Sequence, residues 1–253
     1  MSDSQRPLEG RAALVTGASR GIGASTAAHL ARLGANLTLV ARDAAGLQRV
    51  AQAVGELESQ ALCVTCDLRD PAATARAFAS AREAFGPLEI LVNNAATLQL
   101  GPFQDLSLED WQAMSELNLG AALRCAQHAL GDMLPLGRGV IVNVASVAGV
   151  SGVPTLPGLV GYATTKGGLI AFSEALGAEV APQGVRVLAV SPGSVQTDML
   201  RAAAPDHVEG AMTPGQVGRV IARLACDESA ALHQTNVILW GDPKTPRKTP
   251  GKG

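Results

Sequence analysis

The chain has 253 residues, of which 47% are hydrophobic and 17% charged, with a formal net charge of −2. This composition predicts a globular protein with a buried core and no electrostatic attraction for nucleic acid. No apolar run reaches the roughly 18 residues of a membrane span. The N-terminal sequence MSDSQRPLEGR lacks the apolar core of a signal peptide. We therefore predict a cytoplasmic protein that binds neither nucleic acid nor membrane.

Short apolar segments alternate with longer Ala- and Leu-rich segments, which predicts strands separated by helices. Strands are predicted at 12–17, 35–42, 61–68, 89–95, 139–146, 185–193 and 235–241, and helices at 21–34, from the second strand to about 57, at 71–85, as a pair over about 103–134, and at 162–181. Crossovers of this length join parallel strands. The predicted fold class is α/β, with one Rossmann-type, doubly wound parallel sheet of about seven strands and helices on both faces.

Residues 1–241 show no linker, composition break or internal repeat, and we predict that they form one domain. The last stretch, DPKTPRKTPGKG at 242–253, is rich in Pro, Lys and Gly. Such a segment cannot bury a core, so it is predicted to be a disordered basic tail.

Cys63 and Cys66 form a C-x-x-C pair, which occurs in redox proteins and in half of some zinc sites. No second pair or His pair completes a metal site. Residues three apart on a strand also face opposite sides of the sheet. We interpret these cysteines as core or edge thiols and predict no metal.

The first predicted strand runs directly into a Gly-x-x-x-Gly-x-Gly turn, with a helix behind it. Glycines allow a tight turn and close approach of the backbone to a pyrophosphate, while the helix N-terminus offers free N–H groups and partial positive charge. This position favours a dinucleotide site over simple tight packing. The residues predicted to bind the dinucleotide here are Gly17, Ser19, Arg20, Gly21, Ile22 and Gly23.

The end of the second strand indicates which dinucleotide is bound. An NAD site usually has an acid about 20 residues after the glycines, on the ribose 2′-hydroxyl. Here the strand ends in Ala41 and Arg42. Arg42, together with Arg20, suits the 2′-phosphate of NADP, because guanidinium groups bind phosphate bidentately. Asp43 is the counter-evidence and leaves NAD as the alternative.

Tyr162 is the only tyrosine in the chain, and Lys166 follows it by four residues. On a helix these positions share one face. A tyrosine normally keeps its proton to a pKa of about 10. A neighbouring cation lowers the pKa of a phenol by roughly 1–3 units. The pair therefore predicts an acid/base group poised nearer neutral pH.

With these motifs in this order, the chain resembles the short-chain dehydrogenase/reductase family over about residues 8–242, and within it the 3-oxoacyl-thioester reductases. The matching motifs are the TGASRGIG turn, Asn-Asn-Ala at 93–95, Tyr-x-x-x-Lys, and Pro-Gly-x-x-x-Thr at 192–197. The resemblance implies four catalytic residues, Asn118, Ser146, Tyr162 and Lys166. It also implies cofactor contacts from Asp67, Leu68, Asn94, Ala95, Tyr162, Lys166, Pro192, Gly193, Val195 and Thr197.

The implied reaction is hydride transfer between NADP(H) and a small-molecule carbonyl compound or secondary alcohol. Tyr162 would donate the proton and Ser146 would stabilise the carbonyl oxygen. Lys166 would lower the tyrosine pKa and bind the nicotinamide ribose. Asn118 would hold a water that relays protons to Lys166. The alternative is a non-catalytic NADP-binding regulatory or structural protein on the same fold. The intact set of four residues argues against that alternative.

Three features depart from the family pattern. Ala96 replaces the glycine that usually follows Asn-Asn-Ala. The segment between Ser146 and Tyr162 is about three residues longer than is common, and we expect the extra length in 152–160, beside the substrate. The loop from Asp198 to about Pro214 is short, which predicts an open or shallow pocket, with Arg201 the one candidate there to contact an anionic substrate.

The helices over about 103–134 and 162–181 are rich in Ala and Leu beyond a single stripe. One face of such a helix can pack on the sheet, and the other needs a second partner. Relatives in the resembled family pair these helices across a two-fold axis, which implies a homo-oligomer, a dimer of dimers. The alternative is that the small residues only allow tight helix-to-sheet packing.

Overall fold

The computed structural model describes residues 6–241. It contains one seven-stranded sheet in the order β3-β2-β1-β4-β5-β6-β7, with every pair parallel. The strands are β1 Ala12–Thr16, β2 Asn36–Ala41, β3 Ala61–Thr65, β4 Leu88–Asn93, β5 Gly139–Val144, β6 Val185–Pro192 and β7 Thr235–Leu239. The predicted fold class is confirmed, with each strand inside or close to its predicted range. The tail at 242–253 lies outside the described residues.

Eight α-helices connect or flank the described strands. They are α1 Gly21–Arg32, α2 Ala44–Gly55, α3 Pro71–Phe85, α4 Leu108–Ser115, α5 Ala121–Leu136, α6 Val160–Val180, α7 Asp198–Ala203 and α8 Pro214–Leu224. Two hydrophobic clusters separate them into layers. Helices α1, α2 and α8 share one cluster with the sheet, and α3, α5 and α6 share the other. The sheet is therefore covered on both faces, as long apolar strands require.

The central strands are buried on both sides. All residues of β1, β4 and β5 are inaccessible or nearly so, whereas β3 at the edge is half-exposed. Strand β3 ends at Thr65, one residue before Cys66, which is buried, while Cys63 in the strand is half-buried. All four cysteines are free thiols.

The structure differs from the predicted elements at three places. The predicted helix pair is joined by a π-helical turn at Glu116–Gly120, so helical structure continues from Leu108 to Leu136. Helix α6 begins at Val160 rather than Tyr162. Helices α7 and α8 occupy a region in which no element was predicted. A capping box formed by Thr213 and Gln216, with a proline at the start, begins α8.

Parallel strands place all their carboxyl ends at one edge of the sheet. The strand order reverses between β1 and β4, which makes this the switch point where ligands of open α/β sheets bind. The glycine turn follows β1 there, the Asn-Asn-Ala segment follows β4, and Ser146 follows β5. Within residues 6–241, no helix is long and apolar enough to cross a membrane.

Candidate active site

The glycine turn is held tightly against the loop that follows β4. Gly17 has a φ of +63°, a region that favours glycine. A Cβ at Gly23 would overlap the carbonyl oxygen of Gly17 and press on the Asn94 side chain. The Asn94 amide donates to the carbonyl oxygens of Thr16 and Gly17, at 3.0 and 3.2 Å. These contacts leave space only for hydrogen atoms, so the backbone here has no substitute for glycine.

The N-terminus of α1 is open toward this turn. Its N-cap, Arg20, is extended and makes no side-chain cap hydrogen bond, and the first helical turn contains no acidic residue. Uncapped N–H groups with partial positive charge form an anion site. Ile22 anchors the turn in the core beneath, and Ser19 lies against Gly46 of α2. The predicted residues from Gly17 to Gly23 therefore come together as one phosphate-sized cradle.

Arg42 and Asp43 follow β2 and are both exposed. The Asp43 carboxylate accepts a hydrogen bond from Gly46 N at 3.0 Å and caps α2. Its second oxygen lies 3.9 Å from Arg49. Asp43 thus already has a structural role, while Arg42 extends into the corner beside Asp67, whose pKa its charge helps to lower.

Arg20, predicted to act with Arg42, has an ion-pair partner of its own. Its guanidinium lies 3.8 Å from the carboxylate of Asp198, at the start of α7. Both side chains are mostly exposed, so this pair is weak and leaves Arg20 able to turn.

Asp67 and Leu68 follow β3. A hydrogen bond from Arg69, at 2.6 Å between Nη2 and Oδ2, is the main cause that lowers the pKa of Asp67 to about 2. The predicted cofactor contact of Asp67 would therefore share this carboxylate with Arg69. The side chain of Leu68 is buried, and its carbonyl oxygen accepts a hydrogen bond from Arg124 at 2.7 Å.

Thr16 is a residue of this site that the motif analysis missed. Its hydroxyl oxygen accepts hydrogen bonds from the N–H groups of Asn94 and Ala95, at 2.9 and 3.1 Å. It thereby joins the end of β1 to the loop after β4. The signal was a buried polar residue at the end of an otherwise apolar strand. The neighbouring Ala96 is accommodated in a half-buried position.

Asn118 lies on the π-helical turn and is 1% exposed. Its amide donates to Thr97 O at 2.9 Å and to the Thr165 hydroxyl at 3.1 Å, and its oxygen accepts from Thr97 N at 2.8 Å. Because the side chain is occupied in this way, it clamps the loop after β4 to α6. A water relay through Asn118 would have to rely mainly on its backbone.

Ser146, Tyr162 and Lys166 converge at the carboxyl ends of β4 to β6. The Ser146 hydroxyl lies near enough to the Tyr162 hydroxyl to act against the effect of burial on the pKa of the phenol. Lys166 is 2% exposed, its Nζ donates to Val144 O at 2.7 Å, and Nζ lies 5.8 Å from the centre of the Tyr162 ring. The ammonium thus faces the ring and not the hydroxyl.

The direction of the Tyr162 shift differs from the prediction. Burial raises the pKa of Tyr162 to about 12, against the opposing effect of the Ser146 hydrogen bond. Burial also lowers the pKa of Lys166 to about 8. The prediction was wrong because desolvation of the buried phenol dominates its pKa. At neutral pH this tyrosine is a proton donor.

The segment after β6 lies over the glycine turn. Gly193 N donates to Leu239 O at 2.8 Å, and Val195 bridges to Met212. Thr197 caps α7, and its methyl carbon would touch a Cβ at Gly21, at 3.4 Å. The predicted set from Pro192 to Thr197 therefore faces the cradle. Residues 6–241 bring together no group of three or more His, Cys, Asp or Glu side chains that could hold a metal.

A doubly wound sheet, a glycine cradle at its switch point, and a Ser, Tyr and Lys cluster beside it together define a nucleotide-dependent oxidoreductase. The model of the short chain dehydrogenase family matches residues 11–207. The chain belongs to that family, whose members bind a nicotinamide cofactor.

Individual relatives cover nearly the whole chain. Oxidoreductase UcpA of Salmonella typhimurium is 34% identical over 257 residues, which span 94% of this chain and 96% of the relative. The 3-oxoacyl-[acyl-carrier-protein] reductase FabG of Escherichia coli K12 is 35% identical over 232 residues, 88% and 93% of the two chains. A short chain dehydrogenase from Burkholderia cenocepacia, solved in complex with NADP, is 32% identical, with a TM-score of 0.85 over 93% and 98% of the two chains.

Proposed function

We propose that this oxidoreductase transfers hydride between NADP(H) and a carbonyl compound or secondary alcohol, with Tyr162 as general acid and base. The observation that carries the proposal is the convergence of Ser146, Tyr162 and Lys166 beside the glycine cradle. Ser146, Tyr162 and Lys166 are all present, so this set of residues gives no support to the alternative of a non-catalytic NADP-binding protein.

The cradle fits a pyrophosphate because its backbone is free of Cβ atoms and α1 has no competing cap. Arg42, with Arg20 turned toward it, would hold the 2′-phosphate of NADP, and Asp43 is committed to capping α2. Pro192 to Thr197 would enclose the nicotinamide end. NADP in the Burkholderia relative supports the same preference. When bound, the cofactor supplies or accepts the hydride.

In the reducing direction, Tyr162 gives its proton to the carbonyl oxygen as negative charge develops there. Ser146 donates a hydrogen bond to the same oxygen and stabilises that charge. The ammonium of Lys166, over the ring, favours the phenolate that forms transiently. Asn118 keeps α6 in register with the loop after β4. The high pKa of Tyr162 keeps the proton in place until the substrate arrives.

A substrate panel tests the proposal directly. Ketones, quinones and acyl thioesters are mixed with NADPH and with NADH, and consumption of the reduced nicotinamide is followed by absorbance. Turnover of at least one carbonyl compound with NADPH is expected. If the chain binds NADPH but no carbonyl or alcohol in a broad panel reacts, the non-catalytic alternative gains the support that it now lacks.

The pH dependence of reduction should reflect Lys166. Because the pKa of Lys166 is about 8, its charge is present at pH 7 and is lost as pH rises through 8. We expect kcat/KM for carbonyl reduction to be level between about pH 6 and 7.5 and then to fall, approaching tenfold per unit, as one ionisation requires. A Lys166→Arg variant, charged throughout this range, should lack that fall. An unchanged fall in the variant would assign it to another group.

We also propose a homo-oligomer, a dimer of dimers, in the cytoplasm. Helix α6 exposes Ala171, Ala175 and Ala178, small residues on a face that the sheet does not cover. Multi-angle light scattering after size exclusion should give about four times the 25.8 kDa of one chain at micromolar concentration. A mass near 25.8 kDa would instead favour the interpretation that these residues serve only helix packing.

A further inference from the structure

Two loops form a continuous wall at the mouth of the proposed active site. The first, 96–107, follows β4, and the second, 147–159, follows β5 and leads into Tyr162. Gly101 N donates a hydrogen bond to Gly158 O at 3.1 Å. Below this contact, Gly161 packs on Leu106 and Met114. The longer segment between Ser146 and Tyr162 is thus tied to the neighbouring loop and does not project alone.

The wall is apolar and yet exposed. The side chains of Leu100, Phe103 and Val160 are 44%, 65% and 48% exposed, and they belong to the segments that follow β4 and lead into Tyr162. Met199 of α7, 37% exposed, belongs to the loop after β6 and so to the opposite side of the cleft. Exposed apolar groups grouped at a cleft indicate a ligand with an apolar surface. We call Leu100, Phe103 and Val160 the apolar wall.

Charge around the apolar wall has one sign. From Asn94 to Glu116 the sequence contains four carboxylates and no Lys, Arg or His, and from 147 to 165 it contains no charged residue at all. Three of the four carboxylates, Asp105, Glu109 and Asp110, are exposed. This arrangement repels anions approaching the mouth, at distances that salt can screen.

The cations nearest to the mouth are already engaged. Arg201, the residue considered for an anionic substrate, pairs with Asp198 at 3.3 Å, and Arg20 shares the same carboxylate. Lys166 is buried and donates to Val144 O. An anionic substrate would therefore meet carboxylates on the loop after β4 and would compete with Asp198 for Arg201, although this exposed pair is itself weak.

We infer, on the basis of the proposed function, that the substrate is a free, uncharged carbonyl compound with an alkyl or aryl group that packs on the apolar wall. A thioester on an anionic carrier, as the FabG relatives suggest, fits this mouth poorly. In the reaction, the carbonyl carbon would gain hydride from NADPH and the carbonyl oxygen would gain the proton of Tyr162. The products would be the neutral alcohol and NADP⁺, and the Tyr162 phenolate would then regain a proton from solvent.

A set of substrates with one acyl chain tests the inference. Ethyl 3-oxohexanoate, 3-oxohexanoate and 3-oxohexanoyl-coenzyme A share the reacting ketone and differ in the charge of the carboxyl end. With the native chain and NADPH at low ionic strength, kcat/KM for the ester should exceed that for either anion at least tenfold. Added salt should narrow the gap, because it screens the rim. A thioester used as well as or better than the ester overturns the inference.

Two sets of variants test separately the contribution of the apolar wall and that of the exposed carboxylates. Phe103→Ser should lower kcat/KM for the ester several-fold and leave kcat/KM for a small ketone such as acetone unchanged. Gln104→Ser, at an exposed neighbouring position on the same turn, is the control and should change neither value. The double variant Asp105→Lys and Glu109→Lys should raise kcat/KM for the carboxylate relative to the ester. If neither Phe103→Ser nor the charge reversal changes these ratios, the wall does not select the substrate.

A failure of the proposed reaction can be distinguished from a failure of the inference about the substrate. If no compound consumes NADPH, the proposed reaction is wrong, and the inference is then decided by calorimetry of the ester and the carboxylate binding to Tyr162→Phe with NADPH present. Tighter binding of the ester upholds an apolar, uncharged ligand. Equal or tighter binding of the carboxylate, or binding of neither compound, overturns it.

Discussion

Replacing Tyr162 with Phe is expected to lower kcat for carbonyl reduction by about 10²–10⁴-fold, the usual contribution of a positioned general acid. The phenyl ring keeps its place beside the ammonium of Lys166, 5.8 Å from the ring centre in the native chain. Only the phenol oxygen and its transferable proton are lost. NADPH affinity, measured by fluorescence titration, should therefore stay within a few-fold of native.

Thr164→Val is the matched control for this experiment. It removes a hydroxyl group from the same helix, two residues away, at an exposed position where the hydroxyl bonds only to Val160 O. Native kcat is expected in the control. A Tyr162→Phe variant that retained more than about a tenth of the native rate would show that another group supplies the proton, because that loss is below the range for general acid catalysis.

The combined pKa values show which forms of the two groups are present before the reaction. Desolvation keeps Tyr162 protonated up to about pH 12, and it makes the charged form of Lys166 easier to lose, with a pKa of about 8. Negative charge on the oxygen of a bound substrate would favour the charged form of Lys166 and the transfer of the Tyr162 proton, because both neutralise that charge. The site is thus arranged for charge that appears during the reaction.

The sheet and the glycine cradle could be predicted from the sequence because their causes are local. Apolar, β-branched runs such as those of β1 and β5 have no place other than the interior of a parallel sheet. Helix α8 also has a local signal in the sequence, the capping box of Thr213 and Gln216, which predicts where the helix begins. A prediction that included it would have assigned the segment before β7.

The details of the site depend on contacts that no local pattern encodes. Helical spacing gave the right neighbours, Tyr162 and Lys166, and the wrong pKa direction, because the burial of the phenol depends on the whole fold. Asn118 lies on a π-helical turn, which the helical periodicity of the sequence does not reveal. The pairing of Arg20 with Asp198 joins residues far apart in the sequence. Each of these features forms only when distant parts of the chain meet in the folded structure.

Removing the guanidinium of Arg42 should change cofactor preference more than activity itself. Arg42→Ala is expected to lower kcat/KM for NADPH by about 10- to 100-fold and to leave that for NADH nearly unchanged. Charge-assisted hydrogen bonds to phosphate contribute about 1.5–3 kcal/mol, and only NADPH carries a 2′-phosphate. Adding Arg20→Ala should deepen the loss, because the weak pair with Asp198 leaves Arg20 free to turn toward the phosphate.

Two neighbouring residues supply the controls. Arg49→Ala removes the same charge from the first turns of α2, where the guanidinium lies 3.9 Å from Asp43, and should leave the ratio of NADPH to NADH efficiency within about twofold of native, because exposed ion pairs contribute little. Asp43→Asn tests the competing assignment, since asparagine also caps helices well. If Asp43 binds the ribose of NAD, this variant loses NADH efficiency while Arg42→Ala leaves the ratio unchanged. If Asp43 only caps α2, as its hydrogen bond to Gly46 indicates, the two variants give the opposite result.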